Sequence, residues 1–215
     1  MKKIFARILP ILAGLIAGIM ISGAFFWATG FTVFGKTREK PMLDSNADNA
    51  QLTALAFDII DNIKDGDYQA LSNFAHPEYG VVFSPSSTIN LSANKCFRAA
   101  QIAAFADDSN VYVWGVYSSS GEPIEMTPND YFAKFVFGKD FTSASVIGVN
   151  HIVRSGNALE NMKEIFPYAS FVDFHITGGE RYTVDDPDWS SLRLGFEEYN
   201  GSLMLTLILH SEWTG

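Results

Sequence analysis

The spacing of apolar positions divides this chain into stretches of different kinds. Between Arg7 and Lys36 there is no charged side chain, and residues 8–35 are dominated by Ile, Leu, Ala, Gly and Phe. As a helix that run would extend roughly 42 Å, more than the ~30 Å hydrocarbon core of a bilayer requires. A short polar stretch rich in Asp and Asn follows (36–50) and reads as a linker. Then Leu52, Leu55, Ala56, Ile59, Ile60 and Ile63 recur at helical spacing, with Asp58, Asp61, Asn62 and Lys64 opposite. This predicts an amphipathic helix of about three turns. Asp65-Gly66-Asp67 ends it, with Gly66 as C-terminal cap and Asp67 as N-cap of a second helix that buries Tyr68, Leu71 and Phe74 before Pro77.

From there the period shortens to that of strands. Val81-Val82-Phe83, the run 111–117, His151-Ile152-Val153 and residues 171–176 are strand candidates. Thr127-Pro128-Asn129-Asp130 has the N-cap, N1 proline and N3 acid of a helix start, predicting a helix through Phe137 with Tyr131, Phe132 and Phe135 inward. At the C-terminus, 192–199 and 203–213 flank Asn200-Gly201, the preferred pair for a type I′ hairpin. Strict alternation would set Leu203, Leu205, Leu207 and Leu209 on one face, with Met204, Thr206, Ile208 and His210 on the other. Helices first and a long hairpin last predict an α+β fold, one antiparallel sheet with helices on one side.

Lys2, Lys3 and Arg7 precede the uncharged run, as in an N-in anchor or an export signal. Ser22-Gly23-Ala24 and Ala28-Thr29-Gly30 offer cleavage sites, but the apolar run continues through Phe25, Phe26, Trp27, Phe31, Val33 and Phe34, which favours an uncleaved anchor. The expectation is a membrane-anchored protein with its domain outside the cytoplasm, or a secreted one if the segment is removed. The expected division is anchor or signal 1–35, linker 36–50 and domain 51–215. Gly14 and Gly18 form a GxxxG, a spacing that lets two membrane helices pack closely. Cys96 is the sole cysteine, which closes the lipoprotein route and any intrachain disulfide.

Charge narrows the partners. The residues after Pro41 carry 9 Lys and Arg against 23 Asp and Glu, a net charge of −14. Such a surface repels phosphate backbones, so no nucleic-acid partner is expected. Cys96 stands between Lys95 and Arg98, which would lower its thiol pKa; the plainer reading is a small buried hydrophobe beside Phe97. Asp185-Asp186-Pro187-Asp188 lacks the spacing of a calcium loop, and His151 and His175 have no zinc-site pattern around them. Neither metal nor cofactor is expected. There is no GxSxG, Walker loop or dinucleotide fingerprint.

The helix 52–63, the turn Lys64-Asp65-Gly66-Asp67-Tyr68 and the final hairpin together resemble the NTF2-like (SnoaL-like, cystatin-like) superfamily of cone-shaped α+β domains. More narrowly, the chain looks like a family of uncharacterised exported bacterial domains. The residues that carry this are His76-Pro77-Glu78-Tyr79-Gly80-Val81-Val82-Phe83-Ser84-Pro85, Trp114-Gly115, Gly121-Glu122-Pro123-Ile124, Gly156-Asn157, Asp188-Trp189-Ser190-Ser191-Leu192-Arg193-Leu194 and His210-Ser211-Glu212-Trp213-Thr214. Ser86 and Ser118-Ser119-Ser120 depart from the pattern, where an aromatic and an acidic turn residue are common.

The resemblance implies a curved antiparallel sheet packed by helices around a pocket, and brings no activity with it. In such a pocket Arg193, His76 and His210 are the polar ligand-binding candidates, with Trp114, Tyr117, Trp189 and Trp213 as walls. If the domain is an enzyme, His76 or His210 is the general base and Arg193 holds an anionic substrate. The competing reading is structural: His76 caps a turn, Arg193 pairs with Glu197 or Glu212, and His210 is a satisfied strand residue. The leading expectation is a binding or interaction module of the bacterial cell envelope, for an unknown small-molecule or protein ligand. The alternatives are a small-molecule enzyme, or a domain that pairs as a homodimer through its sheet face.

Overall fold

The structure is a computed structural model and describes residues 45–178 and 188–213. The uncharged run 8–35, the linker as far as Asp44, and Asp185-Asp186-Pro187 lie outside the described residues. Among the described residues no helix is long and apolar enough to cross a membrane.

Helix α1 (Ser45–Asp65) begins inside the stretch read as linker, with Asp48 in its first turn where a negative charge meets the positive helix end. Its predicted stripe is the buried face: Leu52, Ala56, Ile59, Ile60 and Ile63 are all buried. Gly66 terminates it, and the Asp67 side chain caps α2 (Tyr68–Ser72) by accepting the Ala70 N–H at 2.8 Å. The chain continues through β1 (Val81–Ser84), β2 (Lys95–Phe97), the short α3 (Ala99–Ala103), β3 (Tyr112–Val116) and β4 (Pro123–Met126). Thr127 caps α4 (Pro128–Tyr131), as predicted, but the helix then widens to a π turn over Phe132–Val136. In that wider turn Phe132, Phe135 and Val136 are all buried together with Tyr131. After β5 (Val146–Val149) come α5 (Met162–Ile165), β6 (Ser170–Ile176), β7 (Ser190–Tyr199) and β8 (Ser202–Glu212).

Six strands form one sheet in the order β2-β1-β8-β7-β6-β5, antiparallel except for the β1–β8 pair, and β3 and β4 form a separate ribbon. The sheet differs from expectation in three ways. His151-Ile152-Val153 is not a strand: the chain leaves the sheet at Asn150, whose φ is +53° and whose side chain accepts the Phe171 N–H. The final hairpin turns on Asn200 and Gly201, both at positive φ, yet its alternation is interrupted. Gly195 pairs with Leu207 and Phe196 with Leu205, leaving Thr206 as an extra residue whose hydroxyl donates to the Gly195 carbonyl. Across that bulge the faces exchange, so Leu205 and Ile208 share the main core while Leu207 and Leu209 join a second one. Third, helices do not cover one side alone. The main core lies under α1, α2, α4 and the β3–β4 ribbon; the opposite face is covered by residues 150–169, with Met162, Ile89 and Phe171 in its own small core.

Candidate functional site

The space between the sheet and the helices, where a pocket was expected, is filled by aromatic rings. Trp114 is fully buried, stacks on Tyr131 at 3.8 Å and donates its indole N–H to the Met126 carbonyl. Phe83 meets Phe97, Phe105, Trp114, Tyr131 and Phe132 at 5.7 to 6.2 Å. Burial pushes the Tyr131 phenol well above its ordinary value. Trp114 is therefore core, not pocket wall. Tyr117 lies at the margin of this core, accepting from Lys134 Nζ at 2.8 Å with the ammonium over its ring.

The three polar candidates do not converge. His76 is buried in the turn before β1, where its Nδ1 accepts the N–H groups of Glu78 and Tyr79 and its ring stacks on Tyr79. That nitrogen is engaged as a turn cap, the structural role weighed for it. His210 lies on the main-core face of β8 against the edge of Phe135; its Nε2 donates to Glu212 at 3.2 Å and its Nδ1 has no partner in the protein. That hydrogen bond holds the Glu212 carboxyl below its usual value. Arg193 pairs across β7–β8 with Leu209, one residue out of step with the Leu192–His210 pair, and so points to the opposite face.

On that face Arg193 is completely buried, and its partners are neither Glu197 nor Glu212. It bonds Glu160 Oε2 at 2.8 Å and approaches Asp173 Oδ2 at 3.4 Å, with Phe171 beneath the guanidinium. Asp173 also accepts the Val153 N–H. Burial pushes its carboxyl up, against the pull of Arg193. Further along, His175 Nδ1 lies 2.9 Å from Ser191 Oγ, and burial, aided by Arg154 and Lys139, pushes this imidazole down. Trp189 is buried beside His175 with Arg154 over its ring, whereas Trp213 is exposed. Cys96 departs from both its readings: the residue is exposed, its thiol donates to the Tyr79 carbonyl, and burial of the sulfur raises the thiol pKa more than Arg98 lowers it. Among the described residues no group of three or more His, Cys, Asp or Glu is placed to hold a metal ion.

Open to solvent is a cleft of about 380 Å³ between the loop after β1, the end of β3 and the segment covering the back of the sheet. Its polar lining is Ser86, Thr88, Asn90, Asn94, Ser118 and Asn157, and none of its lining residues is ionisable. The walls are tied together. Asn94 accepts the Asn90 N–H and donates to the Trp114 carbonyl, Thr88 donates to the Leu159 carbonyl, and Asn161 exchanges two hydrogen bonds with the backbone of Ile89. Gly115 fits at the cleft floor because its φ is +149° and a Cβ there would press on Pro85 and Asn94 at 3.1 Å. Pro85, Gly115 and Asn157, far apart in sequence, all line this cleft. Sequence reading passed over Asn90 and Asn94, since uncharged loop residues carry no spacing signal, and took Asn157 only as part of the family pattern.

No family model matches the chain, and the search of curated proteins found no match. Among solved structures, it is similar to an NTF2-like protein with a cystatin-like fold from Novosphingobium aromaticivorans, at 12% identity and a TM-score of 0.38, over 84% of this chain and 94% of that one. It is also similar to a DUF4783 family protein from Bacteroides ovatus, at 13% identity and a TM-score of 0.28, over 73% of this chain and 94% of that one.

Proposed function

We propose that this protein is a membrane-anchored, extracytoplasmic binding module with an NTF2-like domain, and that its working surface is the uncharged cleft rather than the interior of the cone. The observation that carries this reading is the chemistry of the cleft lining: hydroxyls and carboxamides at the mouth of a hydrogen-bonded framework, with no ionisable residue. Proton transfer needs a titratable group within reach of the substrate. Hydroxyls and carboxamides instead suit a neutral ligand that carries amide or hydroxyl groups of its own. Leu91 and Leu159, both exposed, directly follow the lining residues Asn90 and Ala158 in sequence. The anchor rests on the uncharged run 8–35, and cleavage there would make the same module a secreted one. The enzyme reading finds its best support in the His210–Glu212 pair, but that pair does not line the cleft.

The test is an NMR titration of the full-length chain with two neutral probes, tri-N-acetylchitotriose and acetyl-trialanine-amide. Shifts centred on the side-chain amides of Asn90, Asn94 and Asn157 support the reading. Neither probe moving them at up to about 10 mM, where even weak complexes form, overturns it.

A further inference from the structure

The back face of the sheet carries a charge imbalance next to the cleft. Arg193 supplies one buried positive charge, and Glu160 and Asp173 supply two negative ones within 2.8 and 3.4 Å of it. One oxygen of each carboxylate, Glu160 Oε1 and Asp173 Oδ1, has no partner in the protein, and neither has Arg193 Nε. The surroundings do not correct the imbalance. On β5, Gly148 faces Asp173; along β6, burial, Arg154 and Lys139 keep His175 toward its neutral form. With both acids ionised the cluster holds one surplus negative charge away from water, a costly state.

Two routes relieve that charge. Asp173 is completely buried and bonded to the Val153 N–H, so its route is to take up a proton. The Glu160 side chain retains 16% exposure, so its route is to turn outward into solvent. Glu160 lies in the segment that lays Asn157 and Ala158 along the cleft, and its bond to Arg193 is the ionic tie of that wall.

We infer that Arg193, Glu160 and Asp173 form a proton-operated latch on the cleft wall. With Asp173 protonated, Glu160 is locked on Arg193 and the wall is held; with both carboxylates charged, Glu160 turns to solvent and the wall loosens. Arg193 is then a positioning residue of the cleft and not part of its lining. Its consequence for binding rests on the reading of the cleft given above, whereas the latch itself does not. Burial raises the Asp173 carboxyl, Arg193 and the Val153 N–H lower it, and the Glu160 charge raises it again, for a net shift upward. A carboxyl with a raised folded-state pKa binds its proton more tightly in the fold than in the unfolded chain. Acidification through that pKa therefore favours the closed form, and a rise in pH through it withdraws the stabilisation.

Hydrogen exchange on the full-length chain, corrected for intrinsic exchange rates, tests the latch without any ligand. In the wild type, the amides of Ile89 and Val153, which bond Asn161 and Asp173, should lose protection several-fold as pH is raised stepwise from about 4 to about 8. Asp173→Asn, which removes the surplus charge, should keep them protected across that range. Glu160→Gln, which cuts the tie, should leave them less protected throughout. Wild-type protection that stays constant over the range overturns the latch even if neither variant folds. So does Asp173→Asn with an unchanged pH dependence. Neither result bears on whether the cleft binds the neutral probes, so failure of the latch and failure of the binding reading are separable.

Discussion

Replacing Phe83 with Ala tests whether the interior of the cone is packed core or ligand space. Phe83 is fully buried on β1 and makes ring contacts with five aromatic side chains. A buried aromatic removes about 150–250 Å² from water. At about 25 cal/mol per Å² the part lost beyond Ala is worth ~3 kcal/mol. The surrounding rings cannot all collapse into the void, because each is fixed by the others, so the total cost should reach about 3–5 kcal/mol. Urea unfolding reads this directly. With a slope of about 1–3 kcal/mol per M, the midpoint should fall by roughly 2 M with little change of slope. Phe83→Leu refills much of the volume and should cost clearly less. A loss below about 1 kcal/mol for Phe83→Ala would refute the reasoning, since a site that empties so cheaply is a cavity already suited to a guest.

Three further outcomes are expected. Gly201→Val should destabilise the final hairpin by about 1 kcal/mol or more, read as a fall in melting temperature, because φ there is +83° and no neighbouring atom is close enough to add a packing term. Arg193→Met leaves two carboxylates buried without their cation and should cost about 3–5 kcal/mol; in an Asp173→Asn background the cost should shrink, and a double-mutant cycle with zero coupling would refute the charge-cluster account. The Glu212 carboxyl has a lowered folded-state pKa, so its contribution is present above the unfolded value and is lost as pH falls through the folded one. His210→Gln should weaken this acid-side loss of stability, measured as melting temperature against pH, and an unaltered acid limb would show that the pair contributes nothing.

The elements legible in the sequence are those whose cause is local. The stripe of α1, the Asp67 and Thr127 caps and the Asn200-Gly201 turn depend on residues within a few positions of one another, and all are present as read. What failed depends on a distant partner. The bulge at Thr206 lies where Gly195 stands opposite on β7, so the period-2 reading of β8 alone put Leu207 and Leu209 on one face with Leu205, from which they are separated. β2 and β4 were missed for the same reason, each being a short run made a strand by the neighbour it pairs with.

The polar candidates show where a stronger signal lay. His76, Arg193 and His210 are candidates as the polar residues of an expected pocket, a criterion blind to the side of the sheet each one faces. Arg193 sits in Ser191-Leu192-Arg193-Leu194, and Asp173 in Val172-Asp173-Phe174. Each is a lone charge flanked by large apolar residues in a strand, and an interior strand tolerates such a charge only when an opposite one lies beside it. Two such charges of opposite sign, in strands that become neighbours, predict their own pairing, and Asp173 does pair with Arg193 across β6–β7. That inference was available from sequence. The third member was not: Glu160 lies in a segment without regular periodicity, and only the folded chain brings it over the sheet. Its arrival turns a balanced pair into a cluster with one charge to spare, so the element least visible in the sequence is the one that makes the site responsive to protons.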